Sequence, residues 1–476
     1  MITDKRSNVA FEHVVTGIHH PSFVTYPGDQ VASDGFTYEQ DRLKEIAKDA
    51  LRHAASGGAS SAELDIHEGF GQTVTVRRDE VETIEYNRDK GMSVTVYIGK
   101  CRGHASTSDL TAEAVRTTVD AALSIARLTT SDEYAALADP ALLATSFPDL
   151  DLYHPWGLSV EDAVGIARDC ERAAFAADPR INNSDGASVS EQQAHFVYAN
   201  SNGFLAGYPS TRHYLGCAVT AGKGDNMQRD SWWSMARAHQ DLEPWEQVGT
   251  VAGKRAARRL GSKKISTKKT PVVFESPVAS SLLGHFVAAV SGASLYRKQS
   301  FLIDSLESRV FPQFVQINES PHMKRGLASS VFDNEGVATH SRDVVLDGVV
   351  KGYFLGSYAA RKLGMRSTGN AGGAHNLLMR STGETLDQML KNMGSGLLVT
   401  DLLGHGTNMV TGDYSRGAAG FWVENGELAF PVHEVTVAGN LRDMFAAIGA
   451  IADDALPRTS RQTGSILIDT MTVAGD

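Results

Sequence analysis

Residues 270–302, TPVVFESPVASSLLGHFVAAVSGASLYRKQSFL, carry the decisive local pattern of this chain. The stretch opens with a β-rich run, Pro271–Glu275, and passes directly into a helix. Ser276 is a suitable N-cap, and Pro277 fits the first helical position, where its missing N–H costs nothing. Val278, Leu282, Phe286, Ala289 and Val290 recur at helical spacing, with Leu283 and Val287 on the flanks. The helix is therefore expected to be buried and to stop at Gly292. It also contains His285, with Ser280 and Ser281 one turn earlier. Taken alone, these read as a satisfied core histidine and two serines bonding back to helix carbonyls. Ser281 and His285 are also i,i+4 neighbours on one face, the spacing a serine nucleophile and base would use. Such a pair still needs an oriented base and an oxyanion hole, which the sequence does not locate.

Working outward, 476 residues exceed one ordinary core and predict two or three domains. A hydrophobic share of 42% with 21% charged residues describes a globular chain, and a net charge of −11 argues against nucleic acid or an anionic membrane as general partner. No apolar run approaches membrane-span length, and the first twenty residues lack a secretory apolar core, so a cytoplasmic location is expected. Cys101, Cys170 and Cys217 are widely spaced, which suits a reducing compartment and not a cysteine-based zinc site.

Residues 1–36, including His19-His20, read as a polar, flexible N-terminal extension. Order begins at Thr37, where Thr37 and Gln40 suggest a capping box before the stripe Leu43, Ile46, Ala47, Ala50, Leu51 and Ala54. Three β-rich runs follow, at residues 73–78, 81–87 and 92–99, with Asp89-Lys90-Gly91 as a candidate turn. A second helix is predicted from about Thr111 to Arg127, then a Pro-containing connector through 158. The plan then repeats: a helix opened by Ser159 and Asp162, strands over 187–237, and a helix from about Pro244 to Leu260. The basic run Lys254–Lys269 reads as a solvated helix end plus linker, or alternatively as a patch for nucleic acid or an acidic partner. Beyond it the sequence is Gly-rich and strand-rich, and Asn425-Gly426 is a strong hairpin signal. The glycine pattern matches neither nucleotide-binding fingerprint, so tight turns and close backbone approach are its expected use.

Several stretches resemble the TldD/PmbA family of zinc-dependent peptidases: 210–216, 294–306, 326–337, 357–376 and above all 393–441, together spanning most of residues 37–476. In the family's catalytic subunit a His-Glu-x-x-x-His motif follows a strand of the kind seen at 271–275. Laid on that motif, its first His falls on Ser280, its Glu on Ser281 and its second His on His285, after Gly284. On a regular helix, residues five apart at about 100° each leave the two imidazoles about 140° apart, so such a motif must deform the helix to hold one metal. The third family ligand, a Cys before a Gly, matches Thr463-Gly464. Serine is not a usual zinc ligand, and one histidine is not a zinc site. The resemblance is thus to the PmbA/TldE-type subunit that lacks the motif.

The resemblance implies no catalytic residue, metal or cofactor in this chain. The zinc would sit in a TldD-like partner subunit in a heterodimer or larger complex, and the substrate would be an unfolded or small ribosomally made peptide. It also implies that Gly-rich loops line the peptide cavity, with Gly372, Gly373, His375, Gly404, Gly406, Asp413 and Gly417 as candidates. Two other readings stay open. One is an autonomous peptidase, using Ser281 with His285 or a metal held by His285 with His375, His405 or His433; the other is a peptide-binding regulator without a protease partner. The expected class is α+β: N-terminal α/β-meander layers at 37–128 and 129–260, then a strand-rich C-terminal domain at 261–476.

Overall fold

The computed structural model describes residues 35–475. Its N-terminal half runs α1 (Gln40–Ser56), β1 (Ser61–Arg77), β2 (Glu80–Ile98), β3 (Cys101–Thr107), α2 (Ala112–Leu128), α3 (Val160–Ala177), β4 (Ile181–Asn200), β5 (Leu205–Ala206), β6 (Pro209–Ala221), β7 (Gln228–Ala236) and α4 (Trp245–Arg258). The strands form one sheet in the order β3-β2-β1-β4-β6-β7, with β5 beside β4. Long β1 and β4 pair from Glu63↔Asn200 to Val76↔Ala187, so a single sheet runs across both predicted N-terminal layers. Alternation on β1 explains the two helical layers. Ala62, Leu64 and Ile66 face a core shared with α1 and α2, while Val74 and Val76, of the same parity, face one shared with α3 and α4. Both helix pairs therefore lie side by side on one face. The other face presents Phe196 and Tyr198 of β4 to Phe332, which seats the C-terminal half against it.

Two local expectations are corrected. Asp89-Lys90-Gly91 is no turn: β2 passes through it, pairing Gly91 with His67 and Asp89 with Gly69. The hairpin turn is Arg78-Asp79, both at positive φ (54° and 66°), and its two N–H groups donate to buried Glu171 at 2.8 Å each. Thr37 and Gln40 form no capping box. Glu39 precedes α1 without a side-chain cap, while the N–H groups of Thr37 and Tyr38 donate to Glu68 and Gln40 donates to the Phe196 carbonyl. Of the N-terminal extension, residues 1–34 with His19-His20 lie outside the described residues, whereas Phe36 is buried and stacked on His195. Ser159 caps α3 as the sequence suggests, and Thr111 caps α2 through a bond from the Ala114 N–H.

The C-terminal half continues with β8 (Lys268–Phe274), α5 (Ser276–Ala289), α6 (Gly292–Tyr296), β9 (Ile317–Glu319), β10 (Arg342–Leu346), β11 (Val349–Val350), α7 (Ser357–Lys362), β12 (Leu377–Met379) and α8 (Leu386–Met393). It ends with β13 (Gly396–Leu403), β14 (Asp413–Glu424), β15 (Glu427–Asn440), α9 (Leu441–Ala446), β16 (Ile448–Ile451), β17 (Arg461–Gln462) and β18 (Ile466–Ala474). One sheet orders β15-β14-β13-β8-β18-β16, and a further β15–β18 pairing closes five of its strands into a ring. A second sheet orders β11-β10-β9-β12-β17. The β14–β15 hairpin turns at Asn425-Gly426, with φ of 53° and 79° as a type I′ turn requires.

The arginines of the basic run are engaged within the fold, whereas Lys254, Lys263, Lys264 and Lys269 are exposed. Arg255, 7% exposed, bonds Asp230 at 3.1 Å and Glu275 at 2.9 Å; Arg259 reaches Asp230 and Asp401. Arg258 and Lys268 lie over the rings of Phe421 and Trp422. These cations join α4 to the strand-rich half at the foot of α5. No helix among the described residues is long and apolar enough to cross a membrane.

Candidate functional site

Helix α5 leaves β8 without a loop, and buries Ala279, Leu282, Leu283, Phe286 and Ala289. Ser276 is its first helical residue and not its cap, because its groups serve a tertiary contact. Its N–H donates to Ser465 Oγ at 3.0 Å and its hydroxyl to the Thr463 carbonyl at 2.9 Å. Gly292 does not stop the helix either; it opens α6, after a C-cap at Val290. The positions between the buried ones, Ser280, Ser281, Gly284, His285 and Ala288, are half-buried.

Their chemistry follows from what they bond. Ser280 donates to the Pro277 carbonyl at 3.1 Å and Ser281 to the Val278 carbonyl at 2.7 Å, the back-bonding usual for helix hydroxyls. Ser281 is thus not paired with His285 as a nucleophile. Thr463, 2% exposed, turns its hydroxyl toward Met379 and the Gly464 carbonyl. His285 differs from the satisfied core histidine expected of it: its Nε2 is buried without a hydrogen-bond partner. Burial, and then the positive charges of Arg416 and Arg461, hold its pKa down at about 4, so the imidazole is neutral at physiological pH.

Strand alternation supplies its neighbours. Tyr414 and Arg416 point to the same face of β14. The Tyr414 ring meets the His285 ring edge-on, with centroids 5.9 Å apart, and packs against Phe274 of β8. Tyr414 is 1% exposed, and burial pushes its pKa up to about 12 against the opposing effect of the neighbouring Arg416 guanidinium. Arg461 opens β17 two residues before Thr463, and its guanidinium lies against bare Gly284: a Cβ there would stand 3.2 Å from Nη1. Sequence reasoning missed Tyr414, Arg416 and Arg461. Arg461's spacing from Thr463 was the one available signal.

Of the predicted cavity residues, the loop between β13 and β14 carries Gly404 and Gly406, and β14, the strand of Tyr414, carries Asp413 and Gly417. Ser415 N–H donates to the Gly406 carbonyl at 2.7 Å, Thr407 bridges Tyr414, and a Cβ on Gly406 would lie 1.8 Å from the Ser415 carbonyl oxygen. Gly404 takes φ 74°, Gly417 pairs with Leu403, and Asp413 accepts from Thr411 at 2.6 Å. The other three cavity candidates belong to a separate loop. Gly372 abuts Asn334, Gly373 takes φ 118°, and His375 is held by Glu319 through its N–H and by the Gly369 carbonyl through its ring. His433 is half-buried beside Glu434, and His405 is exposed. Among the described residues no three His, Cys, Asp or Glu side chains are grouped to hold a metal.

A zinc ion does not fit the residues of α5 and Thr463. Three hydroxyls engaged with carbonyls or sulfur stand at the ligand and base positions, and two guanidiniums supply positive charge where a dication would sit.

Three family models match in chain order: the PmbA/TldA metallopeptidase domain 1 over residues 62–126, its central domain over 153–263 and its C-terminal domain over 267–475. The metalloprotease PmbA of Escherichia coli O157:H7 is 46% identical over 436 residues, covering 92% of this chain and 97% of the relative. The Haemophilus influenzae PmbA homologue is 44% identical, again over 92% of this chain and 97% of its own. A solved structure from Bacteroides thetaiotaomicron, described as a candidate modulator of DNA gyrase, superposes with a TM-score of 0.86 at 27% identity, over 94% of this chain and all of that one. TldE from Thermococcus kodakarensis shares the fold, with a TM-score of 0.80 at 17% identity over 90% of this chain and all of that one. With three consecutive domain matches and relatives aligned almost end to end, this chain belongs to the PmbA/TldD metallopeptidase family and is PmbA/TldE-like within it.

Proposed function

We propose that this chain is the non-catalytic subunit of a cytoplasmic zinc metalloprotease complex. It pairs with a TldD-like subunit that holds the zinc, and together they enclose an unfolded or small ribosomally made peptide for cleavage or trimming. One observation carries the reading: the zinc-motif positions are Ser280, Ser281 and Thr463, whose hydroxyls are engaged within the fold, and the one remaining imidazole, His285, faces Arg416 and Arg461. The metalloprotease names of the relatives supply the reaction class. Metal-activated water attacking the peptide carbonyl then belongs to the partner, and this chain contributes walls and orientation.

The experiment is reconstitution. This chain, a TldD-like subunit carrying His-Glu-x-x-x-His and an unfolded peptide are mixed, products are read by mass spectrometry, and zinc is measured in each subunit. The expected result is cleavage only in the mixture, zinc only in the partner, and little change on Ser281→Ala. Cleavage by this chain alone, abolished by Ser281→Ala, would overturn the reading.

A further inference from the structure

We propose that His285, Tyr414, Arg416 and Arg461 form a carboxylate-binding site in this chain, which receives the α-carboxylate of a peptide or the side chain of its Asp or Glu. The site occupies the place of the absent zinc motif. It deepens the peptide-enclosing function above and rests on that reading for its physiological ligand.

Arg255 and Arg342, elsewhere in the fold, each bond a carboxylate, Glu275 and Glu319 respectively, at 2.9 and 2.8 Å. Arg416 and Arg461 form no ion pair among the described residues. The Arg416 guanidinium makes one long bond of 3.5 Å to the Leu402 carbonyl, and its Nε is buried without a partner. Arg461 is exposed, and no carboxylate among the described residues pairs with it. Guanidiniums without a counter-charge are matched best by a planar carboxylate bound through paired N–H donors.

The neutral groups point the same way. His285 Nε2 is buried without a hydrogen-bond partner among the described residues, and the Tyr414 hydroxyl lies beside the Arg416 guanidinium. Tyr414 is protonated at physiological pH and offers an O–H donor. His285, uncharged, offers an N–H from one tautomer without adding a third cation. Gly284 lets the Arg461 guanidinium lie against the helix, since its missing Cβ leaves that space. Hydroxyl, imidazole and two guanidiniums make a donor set without an acidic member. Such a set suits an anion and repels a metal dication. The Gly404–Gly417 loop, anchored on Tyr414 through Thr407, borders the site where an extended chain would enter.

The test uses the full chain alone, by isothermal titration calorimetry. The probes are N-acetyl-tetra-alanine with a free C-terminus, the same peptide as its C-terminal amide, and a C-terminally amidated N-acetyl peptide with one glutamate. A charge-assisted pair contributes about 1.5–3 kcal/mol, so a carboxylate-bearing probe should bind about tenfold or more tighter than the uncharged amide. Preference for the free C-terminus identifies the α-carboxylate, and preference for the glutamate peptide identifies a side chain; either sustains the site. Arg461→Gln, at an exposed position, should abolish the discrimination while leaving the melting temperature unchanged, whereas Ser281→Ala should retain it. Equal binding of all three probes, binding of none, or discrimination that survives Arg461→Gln overturns the proposal. These outcomes separate from those of reconstitution. Mixed cleavage without carboxylate preference removes this site alone, and carboxylate preference without mixed cleavage removes the metalloprotease-partner reading alone.

Discussion

The Ser276 hydroxyl donates to the Thr463 carbonyl at 2.9 Å, joining residues 187 positions apart. This bond seats the first turn of α5 on the strand segment after Arg461. Through it the segment that carries Thr463 is tied to the helix that carries Ser280, Ser281 and His285.

His285 predicts a pH dependence of stability. Its pKa falls from 6.5 to about 4 on folding, so the unfolded chain binds the extra proton between those values. Stability is therefore full above pH 6.5 and declines as the pH falls toward 4, by about 3 kcal/mol at most from this group. Urea midpoints at pH 7.5 and 4.5 should differ more for the wild-type chain than for His285→Gln. Equal pH dependence in the two would show that the imidazole is not held neutral by the fold.

Arg255 should be among the costliest single side chains to remove. It lies between Asp230 and Glu275 and also donates to the Thr400 carbonyl, so Arg255→Ala leaves Asp230 to Arg259 and Glu275 to Arg258, each at 3.4 Å. The expected loss is about 3 kcal/mol. Glu275→Gln in the Arg255→Ala background should recover part of it, by removing one charge that has lost its nearest partner. A loss below 1 kcal/mol in a denaturant titration would contradict this account of how α4 is joined to α5.

Gly406→Ala should disturb the loop beside Tyr414. The new Cβ would lie 1.8 Å from the Ser415 carbonyl oxygen, so the Ser415-to-Gly406 hydrogen bond has to open. A cost of about 1–3 kcal/mol is expected, with a lower melting temperature. Because the loop borders the proposed carboxylate site, peptide affinity should fall as well. An unchanged melting temperature would mean that the loop is not held closed by that contact.

Restoring the missing motif should not restore a metal. Ser280→His with Ser281→Glu supplies two groups, but Thr463 still stands at the third position and Arg416 and Arg461 remain beside His285. Elemental analysis of the purified double variant should find less than stoichiometric zinc. One zinc per chain would show that the arginines yield to a cation.

Much of this protein is written in local sequence. The periodicity of α1 to α4, the helix opening at Ser159 and the Asn425-Gly426 turn each depend on residues within a few positions, and so could be read directly. Tertiary structure decided the rest, wherever one group's partner lies far along the chain. Asp89-Lys90-Gly91 carries turn residues, yet pairing with His67 and Gly69 on β1 keeps it in a strand, since ladder hydrogen bonds outweigh a weak local preference. Ser276 looks like a cap until Thr463 and Ser465 claim its groups. The surroundings of His285 come from β14 and β17, more than a hundred residues away. Whether an imidazole is satisfied, charged or ready for a ligand depends on what the fold places beside it, and no local pattern encodes that.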